Sequence, residues 1–279
     1  MNILILGASG FIGQRIAAAL RARGHTLTTP NRHEVNYLSL DKQRLMPLLV
    51  GQEVVINAIG VMHRHEHILE QIHHHAPAAI AACAREVGVP RFLQLSALGA
   101  DVDYPVAFLG SKGRGDTALC ESGLAVNIVR PSLVYGRGGS STEMFLKLLR
   151  LPILALPAGG AFLLQPVHVA EVAEGIANLA ENPRESGTII NMSGAAVHTL
   201  AEYLGILRQT VHGKKAPLIL PIPLAALRPL LPLTNWLSNG LLGAGNIRIL
   251  QQGSTADCHD FAQLLGRMPL GAAAFAGKE

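Results

Sequence analysis

The sequence predicts an α/β protein built on a Rossmann-type, doubly wound parallel sheet with a smaller C-terminal lobe. Short apolar runs alternate with helical patterns, as βαβ units do, and a glycine-rich turn joins the first run to the first helix. Composition agrees. Of 279 residues, 49% are hydrophobic and 15% charged, which suits a sizeable core rather than disorder.

Asn2–Leu6 reads as the first strand and 11–23 as a helix ended by Gly24. Residues 26–29 read as the second strand, 40–50 as a short helix and Val54–Asn57 as the third strand. A long helix is expected at about 68–87, a strand at 92–95, a helix at 111–122 and a strand at 126–129. Strands this short and apolar on both faces belong in a sheet covered by helices on both sides. After Pro131 the rhythm loosens into a helix near 144–150, a Pro/Gly-rich stretch at 151–160, a helix at Val169–Glu181 and a strand at 188–191. From Met192 the chain is rich in Leu and Pro, including Pro217, Pro221, Pro223, Pro229 and Pro232. The expected division is 1–191 for the sheet domain and 192–279 for a smaller substrate or docking lobe.

Gly7-Ala8-Ser9-Gly10-Phe11-Ile12-Gly13 places three glycines at G-x-x-G-x-x-G spacing between strand and helix. The first allows a tight turn, the second lets the backbone approach a pyrophosphate, and the third lets helix and strand pack closely. The helix N-terminus then faces the anion. A dinucleotide is the ligand this predicts. The end of the second strand usually reads the ribose, and an acidic residue there accepts from the 2′-hydroxyl of NAD. Here Thr28-Thr29-Pro30-Asn31-Arg32 holds no carboxylate before Glu34. Arg32 suits a 2′-phosphate, since guanidinium binds phosphate bidentately, so NADP(H) is favoured and NAD(H) is the alternative.

A net charge of +4 and a pI near 9.1 come without Lys/Arg runs or interleaved aromatics, so nucleic acid is not an expected partner. Cys83, Cys120 and Cys258 are far apart and lack CxxC spacing, which fits a reducing compartment. The first strand starts at residue 2, leaving no room for a cleavable leader, and no apolar stretch reaches about 18 residues. The expectation is a cytoplasmic protein, with membrane-peripheral contact left open.

GASGFIG at 7–13, VINAIG at 55–60, LQLSALGAD at 93–101, SK at 111–112, VRPSLVYGRGG at 129–139 and QPVHVAEVAEGI at 165–176 resemble the extended short-chain dehydrogenase/reductase superfamily. More narrowly they resemble its atypical subgroup, which includes the nucleotide-binding accessory subunit of respiratory complex I and bacterial epimerase/dehydratase-like proteins. The likeness runs to about residue 180 and continues faintly through NIRILQQGS and FAQLLG. The resemblance implies a Ser, a Tyr and a Lys acting together, with Ser96 orienting the substrate oxygen and Lys112 binding the nicotinamide ribose. The tyrosine should stand four residues before the lysine, where this chain has Phe108. Phenylalanine keeps the ring but has no proton to give, which removes the roughly 10²–10⁴-fold assistance of a positioned acid. Tyr104 is a poor substitute. His168 is an alternative proton donor, weighed against a histidine that merely closes a hydrogen-bond network. The resemblance also places Ala58 and Gly60 beside the cofactor, Asn36 on the adenine, and Pro131 and Ser132 near the nicotinamide.

The conspicuous histidines are His63, His65 and His67, then His73, His74 and His75. Three consecutive histidines on an α-helix point about 100° apart and do not converge on one ion. Glu66 and Glu70 fall outside an H-E-x-x-H pattern. No metal site is expected. The apolar stretch 216–233, with Trp236, Leu241, Leu242, Arg228 and Arg248 near it, reads as lobe core or as a docking surface for a membrane or an assembly. Two functions remain open: an NADP(H)-binding protein with weak or no catalysis, linked to a respiratory or quinone-related assembly, or an NADP(H)-dependent reductase or nucleotide-sugar epimerase/dehydratase with another proton donor. The small-molecule substrate is not legible.

Overall fold

The structure, a computed structural model, describes residues 1–227 and 244–278. In chain order it opens with β1 (Asn2–Leu6), α1 (Gly13–Ala22), β2 (Thr26–Thr28), α2 (Lys42–Leu49) and β3 (Val54–Asn57). Then follow α3 (Glu66–Glu70), a π-helical turn (Gln71–His75), α4 (Ala76–Glu86), β4 (Arg91–Leu95), α5 (Ala107–Cys120) and β5 (Ala125–Pro131). The main sheet has six strands in the order Ile189–Met192, β5, β4, β3, β1, β2. The pairs β1–β2, β1–β3, β3–β4 and β4–β5 are parallel. The expected Rossmann-like α/β fold is present.

Leu4, Leu6, Val55, Phe92, Val126 and Ile128 from the strands bury against Ile80, Ala84 and Leu119 of the helices. At about 1.5–3 kcal/mol for each large apolar side chain, this cluster drives the layering. β1 lies between β2 and β3, so the strand order reverses at β1, and ligands of such sheets bind beyond the strand ends at that reversal.

The expected helix at about 68–87 is present but is not α-helical throughout. Pro77 has no N–H for the carbonyl of His73, and its ring would collide with that carbonyl in an α-helical register. The π turn before it relieves the conflict, with the Ala76 amide bonding back to Gln71. The freed His73 carbonyl lies against Gly115 of α5, where an added Cβ would come within 1.9 Å of it. α5 itself starts four residues earlier than expected and so carries Phe108.

The chain forms two compact units, Met1–Arg130 with Val172–Ile190 and Pro131–Glu171 with Asn191–Glu279. From Pro131 on come β6 (Val134–Tyr135), α6 (Ser140–Leu148), β7 (Ile153–Pro157), β8 (Leu163–Leu164), β9 (Val167–His168), α7 (Val169–Glu181), β10 (Ile189–Met192), β11 (His198–Thr199), α8 (Leu200–His212) and β12 (Leu218–Ile222). Among the described residues α9 (Leu224–Leu227), α10 (Ala244–Gln252) and α11 (His259–Leu265) close the order, before a 3-10 segment at Ala272–Lys278. The second unit uses short pairings: β6 with β9 and β7 with β12 in parallel, β8 with β11 antiparallel. Its core gathers Tyr135, Leu154, Leu156, Phe162, Tyr203, Leu207 and Phe275. β7 lies inside the Pro/Gly-rich stretch; its residues alternate between exposed and buried, and it pairs with β12, where Pro221 is tolerated at an edge. α8 starts with a capping box between Thr199 and Glu202. Trp236, Leu241, Leu242, Arg228, Pro229 and Pro232 lie outside the described residues.

Candidate nucleotide site and catalytic corner

The glycine turn follows β1 directly. Gly7 has φ +84°, and a Cβ there would sit 3.0 Å from both the carbon and the oxygen of the Ala58 carbonyl. A Cβ on Gly13 would fall 2.0 Å from the Gly7 carbonyl oxygen, so only glycine lets helix and strand approach this closely. Gly10 donates to that carbonyl at 3.0 Å. At the N-terminus of α1 no side chain caps the helix, and its first turn holds no acidic residue. An uncapped N-terminus without a carboxylate suits a diphosphate, so the residues present fit a dinucleotide. Ser9 and Gly10 are exposed, and Phe11 and Ile12 are half-buried. Arg15 donates to the Phe11 carbonyl at 3.1 Å and lies over its ring. The Ala58 amide donates to Leu6 at 2.9 Å, which ties the end of β3 to the end of β1.

Beyond β2 the loop closes on itself. The Asn31 side chain accepts from the amides of His33 and Glu34, while the Glu34 carboxylate accepts from the Asn31 amide at 2.8 Å. Glu34 is thus committed to the loop's own backbone, and Arg32 is exposed. Asn36 is exposed, with its side-chain carbonyl accepting from Leu38.

Phe108, Lys112 and Asp116 recur every four residues along α5. Lys112 is 4% exposed and donates to the Leu95 carbonyl at 3.3 Å. Burial pushes its ammonium down to about 8, against the opposing pull of Asp116. Its Nζ lies 5.7 Å from the centroid of the Phe108 ring, and a Cβ on Gly60 would come within 3.4 Å of it. The ring therefore holds the lysine by a cation–π contact.

Ser96 is buried, and its hydroxyl donates to Asp116 Oδ2 at 2.7 Å. Arg130 donates to the same oxygen through Nε and Nη2, at 3.1 and 2.8 Å. Burial raises the Asp116 carboxyl, opposed first by the Ser96 hydrogen bond and then by Arg130. A serine whose one proton serves a buried ion pair has only lone pairs left for a substrate oxygen. Asp116 escaped the sequence reading, although its spacing of four from Lys112 was the available signal.

His73 is also buried. Nε2 accepts from the Val61 amide at 3.2 Å, so Nδ1 carries the proton and donates to Ser111 Oγ at 3.0 Å, which in turn donates to the Phe108 carbonyl. Burial, and then the charge of Lys112, push this imidazole down to about 2, so it stays neutral. Its ring meets Phe108 edge-on at 5.6 Å. At the ends of β3 and β4, Asn57 accepts from Tyr37 at 2.9 Å and donates to Gln94 at 2.8 Å, a buried polar network the sequence reading missed.

In the second unit, Ser132 donates to the Gln165 carbonyl while its amide donates to Met192. Pro131 is buried at the end of β5. His168 is 2% exposed, accepts from the Ala170 amide through Nδ1 and packs against the rings of Tyr135 and Phe275, which stack on one another.

Residues 3–102 match the NAD dependent epimerase/dehydratase family. The rat mitochondrial NADH dehydrogenase [ubiquinone] 1 alpha subcomplex subunit 9 is 28% identical over 239 residues, covering 78% of this chain and 63% of that protein. The chain thus spans less than two thirds of the length of that curated relative. The ceramide reductase of Caulobacter vibrioides is 25% identical over 232 residues, covering 74% of this chain and 73% of that protein. In fold, the human epimerase family protein SDR39U1, crystallised with NADPH, matches with a TM-score of 0.75 at 17% identity over 100% of this chain and 98% of that one. From β1 past the end of β4, over residues 3–102, the chain is thus similar to the NAD dependent epimerase/dehydratase family.

Proposed function

We propose that this protein holds NADP(H) as a structural or sensing ligand and performs little or no hydride transfer. The observation that supports this reading is the β4–α5 corner: the Phe108 ring, which has no hydroxyl, lies over Lys112, and the Ser96 hydroxyl donates its hydrogen bond to Asp116. The turn at Gly7, Ser9, Gly10, Phe11, Ile12 and Gly13 would hold the diphosphate. Arg32 would favour a 2′-phosphate, with NAD(H) as the weaker ligand, and Asn36 would face the adenine. Ala58 and Gly60 would border the cofactor, Lys112 would meet the nicotinamide ribose, and Pro131 and Ser132 would lie toward the nicotinamide. Such a cofactor, when bound, supplies a hydride donor or acceptor. The residues on this chain bind and orient it but offer the substrate no hydroxyl proton.

The likeness to a mitochondrial NADH dehydrogenase [ubiquinone] subunit supports a role in a respiratory or quinone-linked assembly, and our reading places the protein in the cytoplasm, peripheral to a membrane. Among the described residues no helix is long and apolar enough to cross a bilayer. The β7–β12 pair supplies a face for contact with one: Leu151, Ile153, Leu218 and Leu220 are exposed, and exposed Lys147, Arg150, Lys214 and Lys215 precede the two strands. Apolar side chains flanked by cations suit an anionic membrane surface, at about 1 kcal/mol per cation.

Titration calorimetry of the purified chain tests the proposal. One NADPH should bind per chain, more tightly than NADH, with no NADPH oxidation across a panel of carbonyl substrates. Absence of heat with either nucleotide overturns it. One observation favours a second reading, an NADP(H)-dependent reductase or nucleotide-sugar epimerase/dehydratase: an ammonium brought down to about 8 in Lys112 can exchange protons near neutral pH. Turnover with an inflection near pH 8 would favour that enzyme.

A further inference from the structure

The histidine block has so far served only through His73. We propose that Glu70, His74 and His75 form a binding site for a divalent transition metal, with Zn²⁺ as its ordinary occupant, independently of the nucleotide reading. One ligand atom from each of the three side chains lies within 4.8 Å of the others. A carboxylate with two imidazoles is a donor set that borderline dications take, leaving room for water in a remaining position.

Consecutive histidines diverge on an α-helix, but Gln71–His75 form a π turn. On an α-helix the residue five places on points about 140° away from residue i, on the far side of the helix. An i→i+5 ladder widens the turn to about 4.4 residues, so residues four and five places on fall to either side of residue i. Glu70 is thereby flanked by His74 and His75, whose rings stack with centroids 4.5 Å apart. His74 Nδ1 already faces Glu70 Oε2 at 3.3 Å.

Arg114 of α5 is the counter-consideration. It binds Glu70 through Nε at 3.2 Å and through Nη2, and its Nη1 donates to the Val102 carbonyl at 2.8 Å. Its charge weakens attraction for a cation. Its fork also fixes the carboxylate rotamer, as hydrogen-bond donors do for ligating carboxylates, and two carboxylate oxygens have lone pairs enough for both. Glu70 and His75 line a groove of about 500 Å³ that also includes His67, so the open side of the site faces solvent-filled space. Glu70 and His74 are half-buried and His75 is exposed, which gives an ion an entry path.

The test uses the full, tag-free chain stripped with chelator and titrated with Zn²⁺ alone, then with Co²⁺ alone as a spectroscopic probe. One ion per chain is expected, with Co²⁺ giving visible bands of a low-coordinate nitrogen and oxygen site. Glu70→Gln keeps an acceptor for Arg114, and His75→Ala removes an exposed ring; each should weaken Zn²⁺ at least about tenfold with unchanged melting of the apo protein. Replacing His63, His65 and His67 together by alanine should leave the affinity unchanged. No Zn²⁺ binding by the native chain overturns the proposal. So does binding that survives His75→Ala, or that is lost with the 63–67 histidines instead.

Discussion

The glycine turn and the β4–α5 corner belong to the same unit, yet they have been treated differently. At the turn, the requirements of nucleotide binding are met by backbone alone: three glycines, two of which admit no side chain without collision, and a helix end left bare. At the corner, a phenyl ring without a hydroxyl lies over Lys112, and the Ser96 hydroxyl donates to Asp116. Holding a dinucleotide and reacting it are separable demands. The first needs close approach and partial charge; the second needs a transferable proton.

The largest effect that would break this contrast is expected at Gly13. Gly13→Ala puts a carbon against the Gly7 oxygen, and opening the turn should cost about 3 kcal/mol or more, roughly 100-fold in NADPH affinity by calorimetry. Unchanged affinity would show that the turn is not the binding element. Next comes Lys112→Met, with opposite signs for binding and stability. The buried ammonium titrates near 8, below its ordinary value, so the unfolded chain holds that proton more tightly than the native one. Native stability should therefore climb between about pH 8 and 10.5, and the ligand-free variant should be about 1–3 kcal/mol more stable at pH 7 with that climb abolished. Denaturant unfolding at several pH values reads this, while NADPH binding should weaken. The smallest effect is expected for Phe108→Tyr. With Ser96 still donating to Asp116, the new hydroxyl should recover none of the roughly 10²–10⁴-fold that a positioned acid supplies. Turnover appearing in this variant would mean that the corner was one hydroxyl short of an enzyme.

Much of the first unit was readable because buried parallel strands are apolar on both faces and glycines punctuate them. Asn2–Leu6 and Val54–Asn57 are found where expected. The π turn was missed because periodicity does not distinguish it from an α-helix, though Pro77 marked the place. The second unit was harder. Two-residue strands such as Val134–Tyr135 and Val167–His168 are too short to show alternation and exist only through their pairing. At the candidate site, the glycine turn was legible from spacing, and Lys112 was expected only from the family resemblance. The engagement of Ser96 was not, since it depends on Asp116 and Arg130, which lie 20 and 34 residues away along the chain and meet only in three dimensions.

The chain passes between its two units at residues 130–131, 171–172 and 190–191. The six-stranded sheet acquires its last strand, Ile189–Met192, only after some forty residues of the other unit have been made. During synthesis the ribosome must therefore release the chain past Met192 before that sheet can complete, and no single proteolytic cut or truncation frees either unit intact. A fragment ending at Arg130 would carry the phosphate turn on a five-stranded sheet with the edge of β5 bare, a surface that invites pairing with another chain.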